Sequence, residues 1–160
     1  MPVKHEIAVQ AGIRNNLYLF IMDEKEFAKQ GIVLFDGVCN LCNSSVVFVL
    51  QKEKGPVFQF ASMQSKAGQE LLEWCGLPKE YNQAVILIDR GRAYLGSTAA
   101  LKIGQQLKFP WSFFAHMGFV VPTFIRDWIY AQIARHRYQW FGKRDVCMVP
   151  TRELQSRFVR

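Results

Sequence analysis

"GIVLFDGVCNLCNSSVVFVL", residues 31–50, carries a short apolar run, a break and a Cys-x-x-Cys pair in quick succession. Residues 32–35 are apolar without a gap, the pattern of a short buried strand, and Asp36-Gly37 ends it. Residues 40–52 have helical length. Their valines would also suit a strand, but Cys42, Val46, Val49 and Leu50 recur at i, i+4, i+7 and i+8, one stripe of a helix. Gly55-Pro56 closes that helix. Cys39 therefore falls at a helix N-terminus, where unpaired backbone N–H groups and a partial positive charge stabilise a thiolate. Cys42 lies one turn further in, on the stripe that faces the core.

Outward from this stretch the elements alternate. Residues 57–61 form a second strand, and 65–75 a helix stopped by Gly76 and Pro78. Residues 84–89 are a third strand. Asp89-Arg90-Gly91-Arg92 reads as a turn that returns the chain through a fourth strand at 92–95. Ser97 or Thr98 is placed to cap a helix ending near Leu107. The order is β-α-β-α-β-β-α, with the first two strands parallel through a right-handed crossover and the last two in a hairpin. This order, with a Cys-x-x-Cys between the first strand and the first helix, resembles the thioredoxin/glutaredoxin core, an α/β fold, over residues 31–107. Residues 108–160 read as a helical appendage packed on that core in a single domain. They comprise an aromatic-rich stretch at 109–119, a long helix over 122–138 and a short one over 151–158. Residues 1–30 form an N-terminal extension. In it Asn15-Asn16 suggests a turn and 17–22 an added strand or a packed arm.

The 160 residues, half of them hydrophobic, suffice for one domain with a real core and exclude wholesale disorder. The apolar run at 17–22 is shorter than the core of a signal peptide and is followed by Asp23-Glu24. No stretch reaches the roughly 18 uninterrupted apolar residues of a membrane span. The nearest, 111–125, contains His116 and Pro122. The expectation is a cytoplasmic protein without a transmembrane segment, in a setting where thiols are kept reduced. The formal charge of +7 is unevenly spread: from Arg126 onward eight basic residues stand against three acidic ones. That surplus suits an acidic or anionic partner, such as a membrane surface, at a basic C-terminal face. It also suits a merely solvated helix face. Nucleic acid is the weakest partner: Tyr138, Trp140 and Phe141 accompany the basic residues, but no binding motif does.

Two thiols at this spacing have three uses. As a redox couple, Cys39 attacks a substrate disulfide and the sheltered Cys42 resolves the mixed disulfide. A zinc site needs two more ligands, and Cys75, Cys147, His5, His116 and His136 form no second closely spaced pair. Neither a metal nor a cofactor is therefore expected. A structural disulfide three residues apart closes too small a loop to stabilise much. Asp36, three residues before Cys39, has two roles open to it. It can form an Asx turn out of the strand, with Gly37 in an unusual backbone conformation. It can also accept a proton from the resolving thiol, while opposing thiolate formation at Cys39. Its replacement by Asn is expected to leave the fold intact and to slow resolution. Cys75 reads as packing, and Cys147 as buried or as a third redox thiol.

"FDGVCNLC" resembles the Asp-x-x-Cys-x-x-Cys signature of the DCC family of thiol-disulfide oxidoreductases, with Asp36, Cys39 and Cys42 on its three fixed positions. The likeness continues through "FASMQSKAGQELL", "STAALKI", "ARHRYQWFGKR" and "CMVPT", over residues 31–160. It implies a thioredoxin-like enzyme exchanging protein or small-molecule thiols and disulfides through this pair. One departure from thioredoxins stands out. The cis-proline that faces their cysteines is replaced here by Tyr81-Asn82-Gln83-Ala84, which implies different substrate handling. The alternative is a non-catalytic binding or redox-sensing protein on the same scaffold.

The helix at 40–52 is apolar nearly all round. A helix of that kind is normally buried. Val47 and Phe48 therefore need a cover, and the expected one is the stripe Ile125, Trp128, Ile129 and Ile133 of the appendage.

Overall fold

The computed structural model describes residues 6–7, 30–144 and 155–159. Alternation within the first apolar run decides how the sheet is covered. Strand β2 (Gly31–Phe35) is buried along its whole length. Its even residues Ile32 and Leu34 join one apolar cluster and its odd residues Val33 and Phe35 another, as the two-residue period of a strand requires. Helix α2 (Lys66–Trp74) covers the first face through Leu71 and Leu72. Helices α1 (Asn40–Lys52) and α3 (Gly96–Gln105) cover the second through Val46 and through Ala99 and Ile103. Complete burial of a residue such as Leu34 stabilises the fold by roughly 1.5–3 kcal/mol.

Strand β2 pairs in parallel with β3 (Phe58–Ser62) and antiparallel with β4 (Ile86–Asp89). The hairpin β4–β5 (Arg92–Leu95) follows. The core order is thus β3-β2-β4-β5, the thioredoxin-like α/β arrangement, with helices in the C-terminal part: α4 (Trp111–Gly118) and α5 (Thr123–Phe141). A two-residue strand, β1 (Glu6–Ile7), extends the sheet beyond β5, which the sequence did not suggest. The expected features at 15–22 and Cys147 lie outside the described residues. Past them a 3-10 turn (Gln155–Arg157) brings Phe158 beside Phe60 at the other sheet edge, where Arg157 pairs with the buried Glu53 at 2.7 Å.

Three expectations need correction. β4 begins at Ile86 instead of residue 84, because the Val85 N–H donates to the Tyr130 hydroxyl at 2.9 Å instead of to a strand. Neither Ser97 nor Thr98 caps α3: Ser97 Oγ donates to Asp127, and Thr98 Oγ1 accepts from Arg126 Nη2 at 3.2 Å. Both hydroxyls thus tie α3 to α5. Finally, the stripe of α5 does not cover Val47 and Phe48. Phe48 packs edge-on against Trp111 of α4, centroids 5.0 Å apart, while Val47 and the stripe stay exposed. α5 meets the core through Tyr130, Ala134 and Arg137, because the hydrogen bonds of Tyr130 and Arg137 fix its rotation.

Candidate functional site

The site forms where β2 gives way to α1. Asp36 leaves the strand and makes the Asx turn: its Oδ1 accepts from the Val38 N–H at 3.2 Å. Gly37 is held by Gln64 Oε1, which accepts from its N–H at 2.9 Å, and by Asn43 Nδ2, which donates to its carbonyl at 2.9 Å. The glycines with positive φ among the described residues are 76, 91, 96 and 142, so Gly37 does not adopt the unusual conformation expected of it. Cys39 then caps α1. Its extended backbone precedes the helix and its sulfur accepts from the Cys42 N–H at 3.3 Å. This is the N-terminal placement that the sequence predicts.

The exposure of the two thiols reverses the expected order. Cys39 is fully buried and Cys42 is half-buried. The residues just after α5 lie across Cys39. Lys143 bridges it as an antiparallel partner, the Arg144 N–H donates to the Val38 carbonyl at 2.8 Å, and Asn40 Nδ2 donates to the Phe141 carbonyl at 2.9 Å. Arg144 Nε closes the clasp on Asn40 Oδ1 at 2.7 Å. Gly142 permits the turn, with φ 79° and ψ 171°, a combination that only glycine adopts readily.

Cys42 faces the other way, into a cavity of about 230 Å³ between α1, α3 and α5. Leu41, Val46, Val85, Ile103 and Ile133 make its lining mostly apolar, and Asp36 and Arg137 supply its charged end. Burial, first, and the adjacent Cys39 push the Cys42 thiol above its ordinary range; Arg137 opposes this and Asp36 adds to it. Cys75, buried behind α2, is pushed up to about 12 by burial alone, in keeping with a packing role.

Sequence reasoning missed what surrounds Asp36. The carboxylate is buried and accepts from Gln64 Nε2 at 2.8 Å, from Arg137 Nη2 at 3.0 Å and from the Tyr138 hydroxyl. Burial works against the charge of Arg137, yet Tyr138 and Asp36 outweigh it and hold the guanidinium above its usual range. Arg137 also donates to the carbonyls of Ala134, at 2.9 Å, and of Asn82 and Gln83. The loop that stands in place of the thioredoxin proline thus has these carbonyls engaged by α5. Gln64, Arg137 and Tyr138 all lie in the segments "FASMQSKAGQELL" and "ARHRYQWFGKR", and those segments were the available signal. Among the described residues no three His, Cys, Asp or Glu side chains gather as metal ligands.

The family model for DCC1-like thiol-disulfide oxidoreductases matches residues 33–143. The chain belongs to that family. The matched span contains Asp36, both cysteines, Gln64, Arg137 and Tyr138, so the whole network falls within the family's domain. The uncharacterized protein YuxK of Bacillus subtilis is 42% identical over 128 residues, 80% of this chain and 93% of its own length. A chloroplastic DCC family protein of Arabidopsis thaliana is 39% identical over 119 residues, 74% of this chain and 69% of its own. No solved structure matches the chain significantly.

Proposed function

We propose that this protein exchanges thiols and disulfides through Cys39 and Cys42, acting in the cytoplasm on protein or small-molecule substrates. The observation that carries the reading is the Cys42 N–H donating to the Cys39 sulfur at the strand-to-helix junction. A donor aimed at that sulfur favours it as the thiolate nucleophile. Cys39 attacks one sulfur of a substrate disulfide, forming a mixed disulfide and expelling the other sulfur as a thiolate. Cys42, once deprotonated, attacks the Cys39 sulfur, forming the intramolecular disulfide and releasing the second thiolate. A reducing dithiol, or two monothiols, restores the pair. The cavity beside Cys42 suits the apolar part of a small substrate.

Asp36 serves this cycle as a positioning residue. Its oxygens already accept four hydrogen bonds, which favours holding the Cys39 loop over taking a proton. The cover over Cys39 favours a second reading, a redox-sensing protein whose thiol is uncovered on demand. Equilibration in graded glutathione buffers, quenching by alkylation and mass mapping separate the two. Reversible formation of a Cys39–Cys42 disulfide, with turnover of a small disulfide, is expected of the enzyme. Disulfide formation without turnover favours the sensor, and a pair that stays reduced throughout removes both.

A further inference from the structure

α5 is mounted inside out. Arg126, Asp127, Tyr130 and Arg137 hold it to the core, whereas its apolar side points to solvent, Phe124 exposed at 72% and Trp128 at 65%. A helix on a protein surface ordinarily does the reverse. The turn leading into α5 continues the same character. Met117, Val120 and Val121 are exposed, and residues 117–125 contain no charged residue. Phe113 and Phe114 of α4 are exposed as well. An apolar surface of this extent marks a binding face.

Charge selects the occupant. From Lys108 to Arg144 six basic residues stand against one acid, Asp127, and Asp127 accepts from Ser97. Arg137 is paired internally with Asp36, but Lys108, Arg135, Lys143 and Arg144 are exposed. A second copy related by a two-fold axis would set these cations against their own images. Anionic lipid headgroups would instead complement them, with the aromatic and aliphatic side chains seated just beneath. No described helix is long and apolar enough to cross a membrane, so the contact is peripheral. Ile133 belongs both to this face and to the wall of the cavity beside Cys42, which places the face next to the dithiol.

We propose that the α4–α5 face seats the protein on an anionic lipid bilayer, with the tip at 117–125 inserted in the interfacial layer. The full-length protein is floated with vesicles of phosphatidylcholine alone and of phosphatidylcholine mixed with phosphatidylglycerol. It is expected to travel with the mixed vesicles. Lys108→Gln and Arg135→Gln should each weaken partitioning about fivefold. Phe124→Ser and Val120→Ser should each weaken it about tenfold or more. These side chains are exposed, so the variants should keep the wild-type circular dichroism and thiol count. Failure to float with either vesicle overturns the proposal, as does binding that survives Phe124→Ser and Val120→Ser. A dimer that Phe124→Ser dissolves assigns the face to a second copy and also overturns it. Equally tight capture by soluble polyglutamate reduces the interaction to charge alone, with the same consequence.

Discussion

The Asp36 carboxylate accepts from Arg137 Nη2 at 3.0 Å, joining the loop that carries the cysteines to a helix 101 positions further along the chain. Both groups are buried. Removing one partner of such a pair leaves an uncompensated charge in the interior and costs roughly 3–5 kcal/mol. Asp36→Asn and Arg137→Met should each lower stability by that order. The double variant should recover a substantial part. Denaturant unfolding of the three variants checks this, and strictly additive losses would contradict it. The same link argues that the core and the helical appendage unfold as one unit. Tryptophan fluorescence, which reports Trp111, Trp128 and Trp140 as well as Trp74, should then change together with far-ultraviolet dichroism.

Gly142 holds the cover over Cys39. A Cβ there would meet Asn40 Nδ2 at 3.1 Å, on a backbone conformation that L residues rarely adopt. Gly142→Ala is expected to loosen the 142–144 segment and to speed alkylation of Cys39, at a stability cost of about 1–3 kcal/mol. An unchanged labelling rate would mean that the cover does not limit access.

The raised pKa of Cys42 has a direct consequence for reactivity. In a Cys39→Ser variant, Cys42 should alkylate slowly until the pH is well above the free-thiol value of roughly 8.5. Removing Arg137 takes away an influence that lowers this pKa, so Arg137→Met should shift the profile further upward. The sign follows from the thiolate being the less favoured form in the buried setting. A rate profile centred on the free-thiol value would oppose the assignment.

Helix α2 lies against the loop that supplies Gln64. A Cβ on Gly68 would stand 1.9 Å from the Ser62 carbonyl oxygen, a backbone atom that cannot step aside alone. Gly68→Ala should therefore destabilise by about 1–3 kcal/mol through forced backbone displacement, despite alanine's better helix propensity. Thermal unfolding reads this directly, and a neutral result would show that α2 can slide.

Much of the core was legible because its signals are local. The Ile32 to Phe35 run, the Gly76 stop behind α2 and the Arg90-Gly91 turn each act within a few residues, and all three stand as expected. The cysteine pair was legible for the same reason. What escaped depends on distant partners. Ser97 and Thr98 look like caps until α5 supplies Asp127 and Arg126 for them to meet. Arg137 looks like a solvated helix charge until folding brings Asp36 to it. Apolar periodicity misplaces the rotation of α5 because it measures what burial would favour. Here the hydrogen bonds of Tyr130 to Val85 and of Arg137 to Asp36 and Asn82 decide the buried face. Burial of Cys39 arises from a bridge to Lys143, which no pattern near residue 39 announces.

Attack by Cys39 and resolution by Cys42 are separated by treating the Cys42→Ser protein with an aromatic disulfide and locating the adduct by mass. A stable mixed disulfide on Cys39 is expected, with a single aryl thiolate released. The wild type should release both aryl thiolates and end with its own Cys39–Cys42 disulfide. An adduct that forms faster on Cys42 of the Cys39→Ser protein, or a wild type that retains the aryl group, would contradict this division of roles.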